Sequence, residues 1–227
     1  DVNVSYFTNL PAMFHVPKYA AELNKMAVAK NVDANYQTDL IKVDGPKCIA
    51  TFKRLLTGEI FTKPFTALHV TPYMSPPAVV SSSKLANAAG FVDVDKTTLQ
   101  HTKFPNVFAL GDSSSLPTSK TAAAIASQAP VLVSNLLHRM KGETMTASYD
   151  GYTSCPILVG DGQLMLAEFT FAPELKITET FPYLDQAKPN RLFYYMKRDF
   201  FPWCYWNTFL KGSWYGHNMW FFPKNAK

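Results

Sequence analysis

Cys155 stands in "YDGYTSCPILVG", residues 149–160, shortly after glycine, threonine and serine and immediately before a proline. Pro156 carries no backbone N–H and confines Ser154 to extended conformations, so the path of the chain past the sulfur is restricted. A thiolate held in this way can open a disulfide, carry a sulfur atom or pass electrons to a neighbouring acceptor. Read alone, a single cysteine is more often a small buried hydrophobe than a nucleophile. A presented sulfur and an inert one therefore both stand at this point.

A second group of residues lies earlier. "FPNVFALGD" reads as a short apolar strand ending in Gly111-Asp112, and "TSKTAAAIASQAPVLVSNLLHRMKG" follows as a helix capped by Ser or Thr and closed by Gly142. Glycine at the end of a strand lets a ligand approach the backbone, and Asp112 can accept hydrogen bonds from ligand hydroxyls. The helix start near Ser119 favours negative charge, to which Lys120 adds a full positive one. Together they suit a polyol joined to an anion, which is what a reduced flavin offers in its ribityl chain and its N1/C2-oxygen edge. An ordinary capped helix after a Gly-Asp turn fits the same residues. Ser113 to Ser115 do not form G-x-S-x-G, the five histidines show no ligand spacing, and there is no C-x-x-C pair, so neither a hydrolase nor a metal site is expected.

The elements that position these groups can be read around them. "VNVSYFTN" and "PKYAAELNKMAVAKN" form a strand and a helix with Pro17 in the first turn, and several short strands follow, one of which takes in Cys48. "TPYMSPPAVVSSS" is the strongest linker signal. Pro130 inside the long helix removes one hydrogen bond and is expected to kink or break it. "CPILVGDGQLMLAEFTF" is a hairpin turning at "GDG", with Cys155 at the start of its sheet. "RLFYYMKRDFFPWCYWNTFLKGSWYGHNMWFF" holds all four tryptophans, with Lys197, Arg198 and Lys211 among them. It reads as two short interfacial helices broken at Pro202, or as an aromatic core packed on the rest of the protein.

Composition narrows the partners. With 47% hydrophobic, 14% aromatic and only 17% charged residues, the chain forms a core and still has apolar surface in need of cover. A net charge of +5 spread without an Arg/Lys-rich run gives nucleic-acid binding little support and suits an anionic membrane surface. Every apolar run is interrupted short of a membrane span. "DVNVSYFTNLPAMF" shows no initiator Met and no leader, so the chain is expected to be part of a longer protein.

Taken in order, "HVTPYMSPP", "GFVDVDKTTLQHTKFPNVFALGD", "LPTSKTAAA", "YDGYTSCP", "LAEF" and "YWN" followed by "LKGSWYG" resemble the eukaryotic-type sulfide:quinone oxidoreductases, mitochondrial flavoproteins of the disulfide-reductase-like class. The resemblance implies an α/β fold with two dinucleotide-binding-type domains, here incomplete, plus a C-terminal sheet and aromatic amphipathic helices. It divides the chain into 1–73, the remainder of the second, NAD-like domain; 74–145, the return segment of the FAD domain; and 146–227, the redox-cysteine and membrane-associating region. It implies FAD as cofactor, with Asp112 on the ribityl chain and Lys120, Thr121, Ala122 and Ala123 along the isoalloxazine. Cys155 would be one of two redox cysteines bridged beside the flavin, taking sulfane sulfur from hydrogen sulfide as a persulfide while electrons pass to ubiquinone. A small thiol such as glutathione, or sulfite, would accept the sulfur, and the protein would lie peripherally on the mitochondrial inner membrane. The family's Gly-rich phosphate loop and second redox cysteine are expected upstream of Asp1, so the chain alone should be inactive; Cys48 and Cys204 are read as structural. A type II NADH:quinone dehydrogenase and an inactive membrane-associating fragment are the competing readings.

Overall fold

The computed structural model describes residues 2–171, 176–178 and 180–226. The chain divides into two compact units, Asp1–Tyr73 and Met74–Lys227.

In the first unit, strand β1 (Ser5–Phe7) leads into helix α1 (Pro17–Ala29) and returns as β2 (Asp33–Asn35), which pairs parallel with β1. Pro17 opens the helix, where a missing N–H costs nothing. Three antiparallel strands follow, β3 (Thr38–Asp44), β4 (Ile49–Arg54) and β5 (Ile60–Pro64). Phe52 stacks on Phe7 with ring centroids 4.0 Å apart, and Lys63 reaches both Ser5 Oγ, at 2.7 Å, and Asp33 Oδ2, at 2.9 Å. Cys48 lies in the β3–β4 turn, exposed and with φ 53°, instead of in a strand. The turn needs one more residue than "DGPK" supplies, and Cys48 closes it by donating its N–H to Gly45 O.

The second unit opens with helix α2 (Ala78–Ser81) and an irregular stretch held by isolated bridges. Here "FPNVFALGD" is not a regular strand. Its backbone meets residues 99–101 through bonds such as His101 N–H to Val107 O, 2.9 Å, and one bridge, Gln100 to Phe108; a ladder that short does not extend into a sheet. Gly111 and Asp112 form a single 3-10 turn, Gly111–Ser113.

Helix α3 (Ala122–Lys141) follows. Thr121 caps it by accepting from Ala124 N–H at 3.1 Å, and Gly142, with φ 74°, closes it in the left-handed region that glycine tolerates. The helix runs through Pro130 without a break. Side-chain ties bracket the proline: Gln128 accepts the Gly111 N–H at 2.8 Å, and Asn135 bonds Thr98 O and both backbone groups of Ala147. Val131 and the rings of Tyr149 and Tyr152 share one core cluster with Val92 and Leu99.

Strands β6 (Thr153–Gly160) and β7 (Gln163–Thr170) form an antiparallel hairpin, joined by a short β8 (Lys176–Ile177). Residues 164–169 of β7 are all buried, so both faces of that strand are covered. Helix α4 (Arg191–Tyr195) then passes through a π-turn, Met196–Phe200, directly into α5 (Phe201–Asn207). The expected break at Pro202 is absent. The π-turn widens the helix immediately ahead of the proline, which relieves the clash its ring would make with the preceding turn.

Candidate functional site

The start of α3 and the start of β6 are tied together. Thr121 and Thr153 share a hydroxyl hydrogen bond of 2.9 Å, Thr153 Oγ1 donates to Ser119 O at 3.2 Å, and Thr118 Oγ1 donates to Gly151 O at 3.2 Å. Those bonds place Cys155 opposite the first turn of the long helix. Between them lies a cavity of about 390 Å³, whose walls include Thr121, Ala122, Ala123 and Cys155, closed by aromatic residues such as Phe200, Phe201 and Trp214 from the C-terminal segment. The walls are mostly apolar carbon with a few polar tips, as in sites for planar organic ligands.

Cys155 is half-buried. Burial pushes its thiol up, opposed by a hydrogen bond from Ser119 and by the charge of Lys197. Lys197 comes from the π-turn and donates to Pro156 O at 2.8 Å, which fixes that charge one residue from the sulfur.

The residues expected to hold a flavin separate into two groups. Thr121, Ala122 and Ala123 line the cavity with Cys155. Their small side chains leave room for a flat ring, and the first turn of α3 offers N–H groups without intrahelical acceptors. Lys120 does not line it: its ammonium donates to Ser114 O at 2.7 Å and sits 4.4 Å from the centroid of the Phe91 ring. Burial pushes the Lys120 ammonium down, partly countered by Asp112. Asp112 is exposed on its turn, also outside the cavity wall.

Four residues in the wall escaped the sequence reading. Glu168 on β7 is 4% exposed; its Oε1 accepts the Tyr152 hydroxyl at 2.6 Å and its Oε2 accepts Gln186 Nε2 at 2.8 Å. Burial and the Glu168 charge push the Tyr152 hydroxyl well up, so it remains a donor. His217 packs on Tyr152 with ring centroids 4.3 Å apart. Cys204, read as structural, is buried in the same wall, and burial raises its thiol as well. A charged residue inside the apolar run "LMLAEFTF" was the signal for Glu168; nothing local marks the others. Gly216 lets the C-terminal segment close over this group, because a side chain there would collide with Ser127 Oγ and the Tyr152 ring.

Beyond the cavity the C-terminal segment stays apolar outward. Trp206 is 67% and Phe221 79% exposed, with Trp203, Leu210 and Trp220 exposed beside them. No helix among the described residues is long and apolar enough to cross a membrane, and no cluster among them could hold a metal ion.

No protein-family model matches the chain. It is 48% identical over 223 residues to the mitochondrial sulfide:quinone oxidoreductase of Schizosaccharomyces pombe, covering 95% of this chain and 48% of the relative. The mitochondrial sulfide:quinone oxidoreductase of Mus musculus is 45% identical over 215 residues, covering 94% of this chain and 47% of the relative. The chain thus spans about half the length of the curated relatives it matches. Among solved structures, the sulfide:quinone oxidoreductase of the hyperthermophilic bacterium Aquifex aeolicus superposes with a TM-score of 0.73 at 15% identity, over 93% of this chain and 51% of that one. That likeness shows that the chain shares the α/β fold of the corresponding half of that structure.

Proposed function

We propose, given that this chain belongs to the sulfide:quinone oxidoreductase family, that the protein containing it oxidises hydrogen sulfide to sulfane sulfur and passes the electrons to a quinone. The observation that carries this reading is the placement of Cys155 in one cavity with Thr121, Ala122 and Ala123 at the start of α3.

Cys155 bridges a second cysteine outside residues 1–227. Hydrosulfide attacks the bridge, the S–S bond breaks, and Cys155 retains the incoming sulfur as a persulfide while the partner leaves as a thiolate. Ser119 and Lys197 favour the charged form of the sulfur whenever Cys155 is released. A small thiol or sulfite then takes the outer sulfur.

FAD fits the residues present in part. Thr121, Ala122 and Ala123 would line its ring, the first turn of α3 would favour its anionic edge, and Asp112 is free to accept from hydroxyls on its outer side; Lys120 acts only through its field, being held by Ser114 O. When bound, the flavin supplies two-electron acceptance from a thiolate and donation to the quinone. The exposed aromatic face and the cations Lys197, Arg198 and Lys211 suit peripheral attachment to the mitochondrial inner membrane, with the quinone passing from the bilayer into the aromatic side of the cavity. A type II NADH dehydrogenase has no use for a thiol at position 155.

Replacing Cys155→Ala in the full-length protein tests the reading. Sulfide-dependent quinone reduction should fall by at least about 100-fold, with folding and flavin content retained; undiminished turnover would refute the role of Cys155.

A further inference from the structure

The stretch of chain that closes the cavity is fastened at its two ends. Thr208, buried just past α5, donates its N–H to Cys204 O at 2.9 Å, and Ala226 belongs to the core cluster of Val131 and Tyr149. Between these anchors, Trp214, Gly216, His217 and Met219 line the cavity, while Trp220 and Phe221 are exposed. Among the described residues, every hydrogen bond made by residues 212–222 stays within residues 208–222, such as Tyr215 N–H to Met219 O, 2.8 Å, and Met219 N–H to Gly216 O, 3.0 Å. The segment is thus held down by apolar packing, including that of His217 on the Tyr152 ring. Its contact with α3 leaves polar atoms unsatisfied on both sides. Ser127 Oγ, against which Gly216 lies, is buried with no hydrogen-bond partner, and so is His217 Nδ1. Such atoms raise the free energy of the closed arrangement, and water satisfies them once the segment lifts. Met219 adds to this, because its φ of 52° and ψ of −114° lie outside the regions open to a residue with a side chain unless its neighbours impose them.

We propose that residues 212–222 form a strap that lifts from the cavity to admit a quinone and closes over its ring. The chain bends at Gly212, whose φ of 68° lies in the range that glycine tolerates, and ahead of Pro223, which is buried at the far anchor. The inner side of the strap is cavity wall and its outer side carries the exposed Trp220 and Phe221. Lifting therefore opens the cavity toward an apolar phase, where a ligand with a long hydrocarbon tail is dissolved. Closing shelters the ring from water while it is reduced. The proposal rests on the reading of the cavity as the place where quinone is reduced.

Hydrogen–deuterium exchange of the full-length flavin-loaded protein reads the strap directly. Amides of residues 212–222 should exchange at least about 100-fold faster than those of β7. Ser127→Ala removes one unsatisfied group from the closed state and should slow that exchange by about 10-fold. Gly216→Ala, whose added methyl collides with Ser127 Oγ and the Tyr152 ring, should speed it. A saturating short-chain ubiquinone analogue should slow the wild-type exchange by at least about 10-fold. Strap amides as protected as those of β7, or unmoved by Ser127→Ala, would overturn the proposal and leave the functional reading intact. So would exchange indifferent to the analogue in a protein that reduces it with sulfide. Failure of the wild-type protein to reduce the analogue with sulfide would overturn the functional reading and, with it, the quinone as the ligand of the strap. Should Gly216→Ala not fold, Ser127→Ala decides.

Discussion

The β6–β7 hairpin and the α4–α5 segment are both rich in apolar residues, and they end in opposite environments. Residues 164–169 of β7 are buried, while Trp203, Trp206 and Leu210 on and after α5 remain exposed. In the hairpin, the strand's two faces find partners within the chain: Phe193 and Leu164 share one cluster, and Phe171, just past the strand, packs on Tyr149 with ring centroids 5.4 Å apart. In the helical segment only one side is satisfied, by residues such as Cys204 and Phe193. Hydrophobicity alone therefore does not say whether a segment is core or contact surface; what matters is whether the fold supplies a second face to cover it.

The largest effect belongs to the hairpin. Phe169→Ala should destabilise the second unit by about 3–5 kcal/mol, measured by urea denaturation. A cost near that of an exposed site would mean β7 is not the core strand.

Next come the phenols beneath the hairpin. Burial raises the Tyr149 hydroxyl and, with the Glu168 charge, the Tyr152 hydroxyl. A group whose pKa is raised on folding contributes fully below its unfolded value and loses that contribution above it. Stability should thus decline as pH rises past about 10, by up to about 1.4 kcal/mol per pH unit for each phenol. Ultraviolet titration should find both ionising together with unfolding. Ionisation of either before the protein unfolds would show that water reaches it.

The smallest change in stability is expected in the helical segment. Trp206→Ala combined with Phe221→Ala should alter stability by less than about 0.5 kcal/mol per site yet weaken flotation with anionic vesicles. Strong destabilisation with unchanged flotation would instead make this face core.

Much of the hairpin and of α3 was legible because their signals are local. "GDG" between alternating runs, a Ser or Thr cap at the start of α3, and Gly142 after the last basic turn each act within a few residues, although the helix starts at Ala122 and not near Ser119. The same local view misplaced Cys48, made a strand of "FPNVFALGD" and broke the tail helix at Pro202. Each of those depended on a neighbour: a turn one residue longer, a ladder without a partner, a π-turn that absorbs a proline.

The cavity divides along the same line. Residue types and order left Cys155 open between a presented sulfur and an inert one, and it was the resemblance of the ordered motifs to sulfide:quinone oxidoreductases that marked Cys155 and Thr121 to Ala123 as candidates. That Cys155 faces those residues, that Lys120 turns to Ser114 instead, and that Glu168, Tyr152 and Cys204 join the same wall follow from long-range contacts. The hydrogen bond between Thr121 and Thr153 is one of these, and it exists only once a helix and a strand far apart in the chain are packed together.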